Sequence, residues 1–121
     1  MGTQVGEACH LTLAGGTNTL LIDKLDVMPG PGTILSKVGT TLAISAGGGS
    51  DSVTVTGGTL VGENCSVVLA AGNNAIAVTG THVGANLTVK TGGGDDTADI
   101  TGTTVGGQTK ISLGSGTNTG P

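Results

Sequence analysis

The chain contains no phenylalanine, tyrosine, tryptophan or arginine, and its positive side chains are four lysines against eight carboxylates, a formal net charge of −4. Too few cations are present to neutralise a run of phosphates, which argues against nucleic acid and anionic membrane surfaces as partners. Apolar runs are short, far below the ~18 residues that cross a bilayer. The opening Met-Gly-Thr-Gln-Val has neither a basic start nor an apolar signal core, so a secreted protein would have its signal peptide outside this chain. Aromatics carry the largest apolar area per residue, and a globular core without them is unusual. A narrow interior lined by Val, Ile, Leu, Ala and Cys has no room for them.

Glycine is what the chain has in excess, 25 residues among 121. It does not recur at every third position and proline totals three, which excludes a collagen-like helix. Abundant Gly, Ser and Thr also suit disorder, but a mean hydropathy of +0.27 and the lack of long charge runs oppose it. The glycines follow a pattern. A Val-Gly pair occurs at Val5, Val38, Val61, Val83 and Val105, giving intervals of 33, 23, 22 and 22 residues. Self-similarity at that period is the signature of a solenoid.

Counting each copy from its Val as step zero, step one is Gly6, Gly39, Gly62, Gly84 and Gly106. Step eleven is again always glycine (Gly16, Gly49, Gly72, Gly94, Gly116), and step thirteen is Asn18, Asp51, Asn74, Asp96 and Asn118. Between these corners apolar residues alternate with the period of two that marks a strand. Step four is Cys9, Leu42, Cys65, Leu87 and Thr109; step six is Leu11, Ile44, Val67, Val89 and Ile111; step eight is Leu13, Ala46, Leu69, Thr91 and Leu113. After the corner the alternation resumes with Leu20, Val53, Ile76, Ala98 and then Ile22, Val55, Val78, Ile100. These columns are expected to face inward. The mostly polar steps between them, His10 and Lys110 among them, face water.

The fold expected is therefore all-β: a single-domain parallel β-solenoid over residues 1–121, with about five rungs of ~22 residues starting near 5, 38, 61, 83 and 105. Each rung has two short strands and a third side of one Val. Unequal sides favour a right-handed winding. Pro29 and Pro31 cannot donate to a ladder, so residues 28–37 are expected to leave the sheet as an excursion loop. One extra residue near Gly57-Gly58 is expected to be absorbed at a corner.

No catalytic, cofactor-binding or metal-binding residue is assigned. His10 and His82 stand at unrelated outward steps without a ligand partner, and no nucleophile, base and acid converge. Cys9 and Cys65 share an inward step two rungs apart, roughly 9 to 10 Å, beyond the ~7 Å a disulfide allows. They are expected to be buried free thiols.

As a whole the pattern resembles bacterial-type secreted parallel β-helix repeat proteins. The corner A-G-G-G-S-D-S-V-T (Ala46–Thr54) resembles the calcium-binding nonapeptide of RTX β-rolls, G-G-x-G-x-D-x-U-x, and T-G-G-G-D-D-T-A-D (Thr91–Asp99) resembles it equally. That resemblance implies calcium held between successive turns, with Asp51, Asp95 and Asp96 as ligands. The chain departs from the pattern: Ala46 replaces the first Gly, the period is 22, and three corners carry Asn18, Asn74 or Asn118. The corners are accordingly expected to form a ladder of Asn and Asp side chains bonded along the stack, without calcium or any other cofactor. V-G-x-x-L, as at Val38–Leu42, resembles the hexapeptide of left-handed β-helix acyltransferases, but it occurs once per rung instead of in tandem.

Three functions fit such a fold. A structural subunit would stack head-to-tail on copies of itself into an extracellular filament or matrix fibre. A ligand-binding module, adhesin-like or ice-binding, would use the outward Thr54, Thr56, Thr59, Thr79, Thr101 and Thr104; a fragment of a longer RTX-like array is a further alternative. An ice face needs a regular array, and step sixteen reads Leu21, Thr54, Ala77, Asp99. A polysaccharide-acting enzyme would want arginines and an aromatic platform, and an enzyme is not expected. The first is favoured by phase: Pro121 falls on step sixteen of the fifth rung and Met1, counted back from Val5, on step eighteen. A second copy would finish that rung with one residue missing and, as a non-closing contact, would propagate.

Overall fold

The computed structural model describes residues 4–5, 8–22, 37–38 and 41–121. All regular structure in them is strand, and every pairing is parallel. The strands form three sheets around one interior. A short sheet stacks Gln4–Val5, Lys37–Val38, Leu60–Val61, His82–Val83 and Thr104–Val105. A first long sheet stacks Cys9–Leu13, Leu42–Ala46, Cys65–Leu69, Leu87–Lys90 and Thr109–Ser112. A second long sheet stacks Thr19–Ile22, Ser52–Val55, Ala75–Thr79 and Ala98's strand, Thr97–Thr101.

The chain is thus an all-β solenoid in which each sheet takes one strand per turn. About three turns are complete, over 38–60, 61–82 and 83–104, with partial turns on either side. Five rungs were expected. The difference arises because the second long sheet has four strands, extended only by an isolated bridge from Thr97 to Thr119. The excursion expected over 28–37 lies outside the described residues, except for Lys37, which pairs with Gln4 and Leu60.

Register follows the repeat without a slip. Cys9, Leu42, Cys65, Leu87 and Thr109 stack in one column, and Leu20, Val53, Ile76 and Ala98 in another. A one-residue slip would turn every apolar side chain outward, so burial enforces the register. In the complete turns the inward residues are buried except for the half-buried Ile100: Leu42, Ile44, Val53, Val55, Val61, Val67, Val78, Val83, Leu87 and Val89 make one continuous core. Each contributes roughly 1.5 to 3 kcal/mol relative to exposure. Cys9, Leu11, Leu13, Ile111 and Leu113 in the outer layers are half-buried and Thr109 is exposed, since among the described residues each has a stacked neighbour on one side only.

The extra residue of the second turn sits where the spacing placed it. Gly57 and Gly58 share the corner with φ of 73° and 79°, where later turns use Gly80 or Gly102 alone. Realignment across this corner overturns one assignment. Thr59 was expected to face out with Thr104, but it is fully buried and corresponds to Thr81 and Thr103, two residues before the Val. These hydroxyls close the corner inward: Thr59 donates to the Thr56 carbonyl at 2.8 Å and Thr103 to that of Val78 at 2.7 Å.

Candidate functional site

Among the described residues the densest polar chemistry lies in the corner between the two long sheets. Glycine at step eleven makes that corner possible. Gly49, Gly72, Gly94 and Gly116 have φ from 132° to 139°, a region other residues rarely enter. A Cβ at Gly72 would also overlap the Gly49 carbonyl of the layer beneath.

Two residues on, Asn18, Asp51, Asn74, Asp96 and Asn118 stack as one inward column, of which Asp51, Asn74 and Asp96 are buried. The ladder read from the sequence is present, and it has a direction. The backbone N–H of each member donates to the side-chain Oδ1 of the next: Asn18 to Asp51 at 3.0 Å, Asp51 to Asn74 at 3.1 Å, Asn74 to Asp96 at 3.0 Å and Asp96 to Asn118 at 2.9 Å. Asn18 and Asn74 add Nδ2 donations to the carboxylates of Asp51 and Asp96, at 2.8 and 3.0 Å. Because amide and carboxylate alternate, no two charges are adjacent and each buried carboxylate has an amide donor.

Asn and Asp solve the remaining geometry differently. The Asn amides turn back onto their own corner, Asn74 Nδ2 donating to the Ala70 and Gly72 carbonyls at 3.1 and 2.9 Å. A carboxylate has no donor to offer, and its second oxygen needs one. Asp96 Oδ2 receives the Thr91 hydroxyl at 2.8 Å. In the turn of Asp51 that inward step is Ala46, and Asp51 Oδ2 is buried without a partner. Leu13, Leu69 and Leu113 fill the step in the Asn turns, so the choice of corner residue and of step eight are linked. Ala46→Thr is expected to supply the missing hydroxyl and stabilise the protein by about 1.5 to 3 kcal/mol, the scale of a hydrogen bond to a charged group. Urea unfolding measures it; Thr91→Ala should move the midpoint the other way.

Two further ladders run outside, and the repeat alignment passed over them because their residue types are mixed. The Asn86 and Gln108 N–H groups donate to Asn64 and Asn86 Oδ1 at 3.3 and 2.9 Å. Asp95 and Thr117 do the same with Asn73 and Asp95, at 2.9 and 2.8 Å. In both, the later rung donates to the earlier, the reverse of the inner ladder. Asp51, Asp95 and Asp96 therefore each accept a bond within a ladder.

The other residues weighed for chemistry stay apart. His10 and His82 are exposed, in the first long sheet and the short sheet respectively. Cys9 and Cys65 are free thiols with Leu42 stacked between them. Cys65 is buried, and burial pushes its thiol up to about 12; Cys9, expected to be buried, is half-buried because it lies in an outer layer. Among the described residues no group of three or more His, Cys, Asp or Glu is placed to hold a metal, and no helix is long and apolar enough to cross a membrane. Comparison of the chain with protein-family models, curated proteins and solved structures finds no match.

Proposed function

We propose that this chain is a non-catalytic structural protein whose copies stack head-to-tail into an extracellular filament. The observation that carries the reading is the state of the two outer layers. Leu11 and Leu13 at one end and Ile111 and Leu113 at the other lie on inward steps yet remain half-buried, while Ile44, Val67 and Val89 between them are closed off. Among the described residues their strands, Cys9–Leu13 and Thr109–Ser112, are paired on one side only. Open strand edges over an incompletely covered apolar column are a template for another strand.

The resemblance to secreted repeat proteins supports an extracellular location. The ligand-binding alternative fares worse on the long face it would use, where Leu21, Thr54, Ala77 and Asp99 form an irregular column with Leu21 60% exposed. Negative-stain electron microscopy of the purified chain tests the proposal. Unbranched fibres with an axial repeat of roughly five layer spacings, about 24 Å, are expected. A monodisperse monomer at high concentration would end it.

A further inference from the structure

Resting on that stacking reading, the direction of the ladders specifies the joint. At the step-eleven corner each N–H likewise reaches forward: Gly16 to the Gly48 carbonyl at 2.8 Å, Gly49 to Ala71 at 2.9 Å, Gly72 to Gly93 and Gly94 to Ser115, both at 2.8 Å. Repeated at every layer, this arrangement leaves opposite groups at the two ends. On the last layer the N–H groups of Gly116 and Asn118 have no acceptor among the described residues. On the first, the Gly15 carbonyl and Asn18 Oδ1 have no donor among them. One end presents donors at steps eleven and thirteen, and the other presents acceptors at steps ten and thirteen, the pairing used between layers inside the chain.

We propose that a second copy of this chain docks its first layer on the last layer of the one before, seating Asn18 Oδ1 on the Asn118 N–H, the Gly15 carbonyl on the Gly116 N–H, and Cys9 over Thr109. The contact repeats the geometry by which the fifth layer meets the fourth. It excludes head-to-head and tail-to-tail pairing at this corner, which would set acceptor on acceptor or donor on donor at a cost of the unpaired groups. It sets amide on amide, because Asn118 meets Asn18, and so interrupts the alternation without bringing one carboxylate against another. The docked layers cover Leu11, Leu13, Ile111 and Leu113 together. A face complementary to a different face of the same molecule does not close, and the stack elongates.

The register is tested by cross-linking. Stacked residues of one column lie about 4.8 Å apart, inside the Cα range of a disulfide. Thr109→Cys therefore places a thiol over Cys9 of the next copy, while Cys65 stays inert through burial. Lys110→Cys, one step along and outward, is the control for chance contact. Assembled protein is oxidised with diamide, which takes two thiols to a disulfide and is itself reduced to the hydrazine, then run on a denaturing, non-reducing gel and imaged in parallel. Thr109→Cys should give a ladder extending beyond the dimer, whereas Lys110→Cys, whose Cβ points away from Cys9, should give none, since Cβ vectors that point apart cannot be bridged. The unsubstituted chain, with Cys9 alone accessible, should give no dimer. Fibres without the Thr109→Cys ladder, or Cys9 dimers from the unsubstituted chain, overturn this joint and leave stacking standing. Absence of both fibres and ladder overturns the two together.

Discussion

Val67→Asp is expected to unfold the middle turns. Val67 is 0% exposed and stacks between Ile44 and Val89 in the centre of the first long sheet. The substitution removes roughly 1.5 to 3 kcal/mol of burial and puts a carboxylate into an interior with no donor at that step. Breaking the pairing of a buried charge costs about 3 to 5 kcal/mol, so the sum is comparable with the ~5 to 15 kcal/mol that holds a typical domain together. The β circular dichroism signal and the melting transition should both collapse at room temperature. Val68 provides the contrast, because it is the next residue, is 40% exposed and points outward. Val68→Asp should shift the midpoint by no more than about 0.5 kcal/mol, the usual range for a surface change. Equal effects at the two positions would mean that the inward and outward steps have been exchanged.

Glycine substitutions should separate close approach from backbone conformation. At Gly72 an added Cβ meets the Gly49 carbonyl, at a φ of 136°. Both layers must shift, and the shift breaks the Gly72 N–H bond to Gly93 that joins the third and fourth turns. Gly72→Ala is expected to cost 3 kcal/mol or more on the order-of-magnitude scale of one strained residue plus a lost buried hydrogen bond. Gly80 has a φ of 59° and open space around its Cβ position, so Gly80→Ala should cost only the left-handed conformation, about 1 to 2 kcal/mol. Gly120 has neither constraint and should tolerate alanine. Chemical denaturation midpoints falling in that order support the layered packing; a tolerant Gly72 would refute it.

What made the architecture legible was parity. A two-residue period inside a 22-residue period leaves few ways to fold, and Val67, Val78 and Val83 lie where counting from the Val-Gly pair put them. The inner Asn/Asp column was readable for the same reason, since one residue class recurs at one step. Counting failed where it crossed an insertion: the extra glycine at Gly57-Gly58 shifted Thr59 by one position, and one position is the difference between outside and inside. It also failed at the outer layers, because a step predicts direction while burial needs a neighbour, and among the described residues Cys9 and Thr109 have one on a single side. The outer ladders escaped notice because Asn or Asp stands at only two of the five copies of each step, Ala8, Thr41, Asn64, Asn86 and Gln108 in one and Thr17, Ser50, Asn73, Asp95 and Thr117 in the other. The unpartnered oxygen of Asp51 depends on what faces it across the corner, and Ala46 looks innocuous in a list of apolar residues.

The alternation of amide and carboxylate along the inner corner bears on how such an array lengthens. Excising residues 61–82 would keep every strand in phase, yet it would seat Asp51 directly against Asp96, two buried like charges one strand spacing apart. At about 4.8 Å and an effective dielectric of about 20 their repulsion is about 3 kcal/mol. Excising 61–104 instead would set Asp51 on Asn118, an order the stack already uses. Loss of the Asn74 rung alone is therefore costly, whereas loss of the Asp96 rung, residues 83–104, would set Asn74 on Asn118 and bring no carboxylates together; what recombination must preserve is an amide between carboxylates, not an even number of rungs.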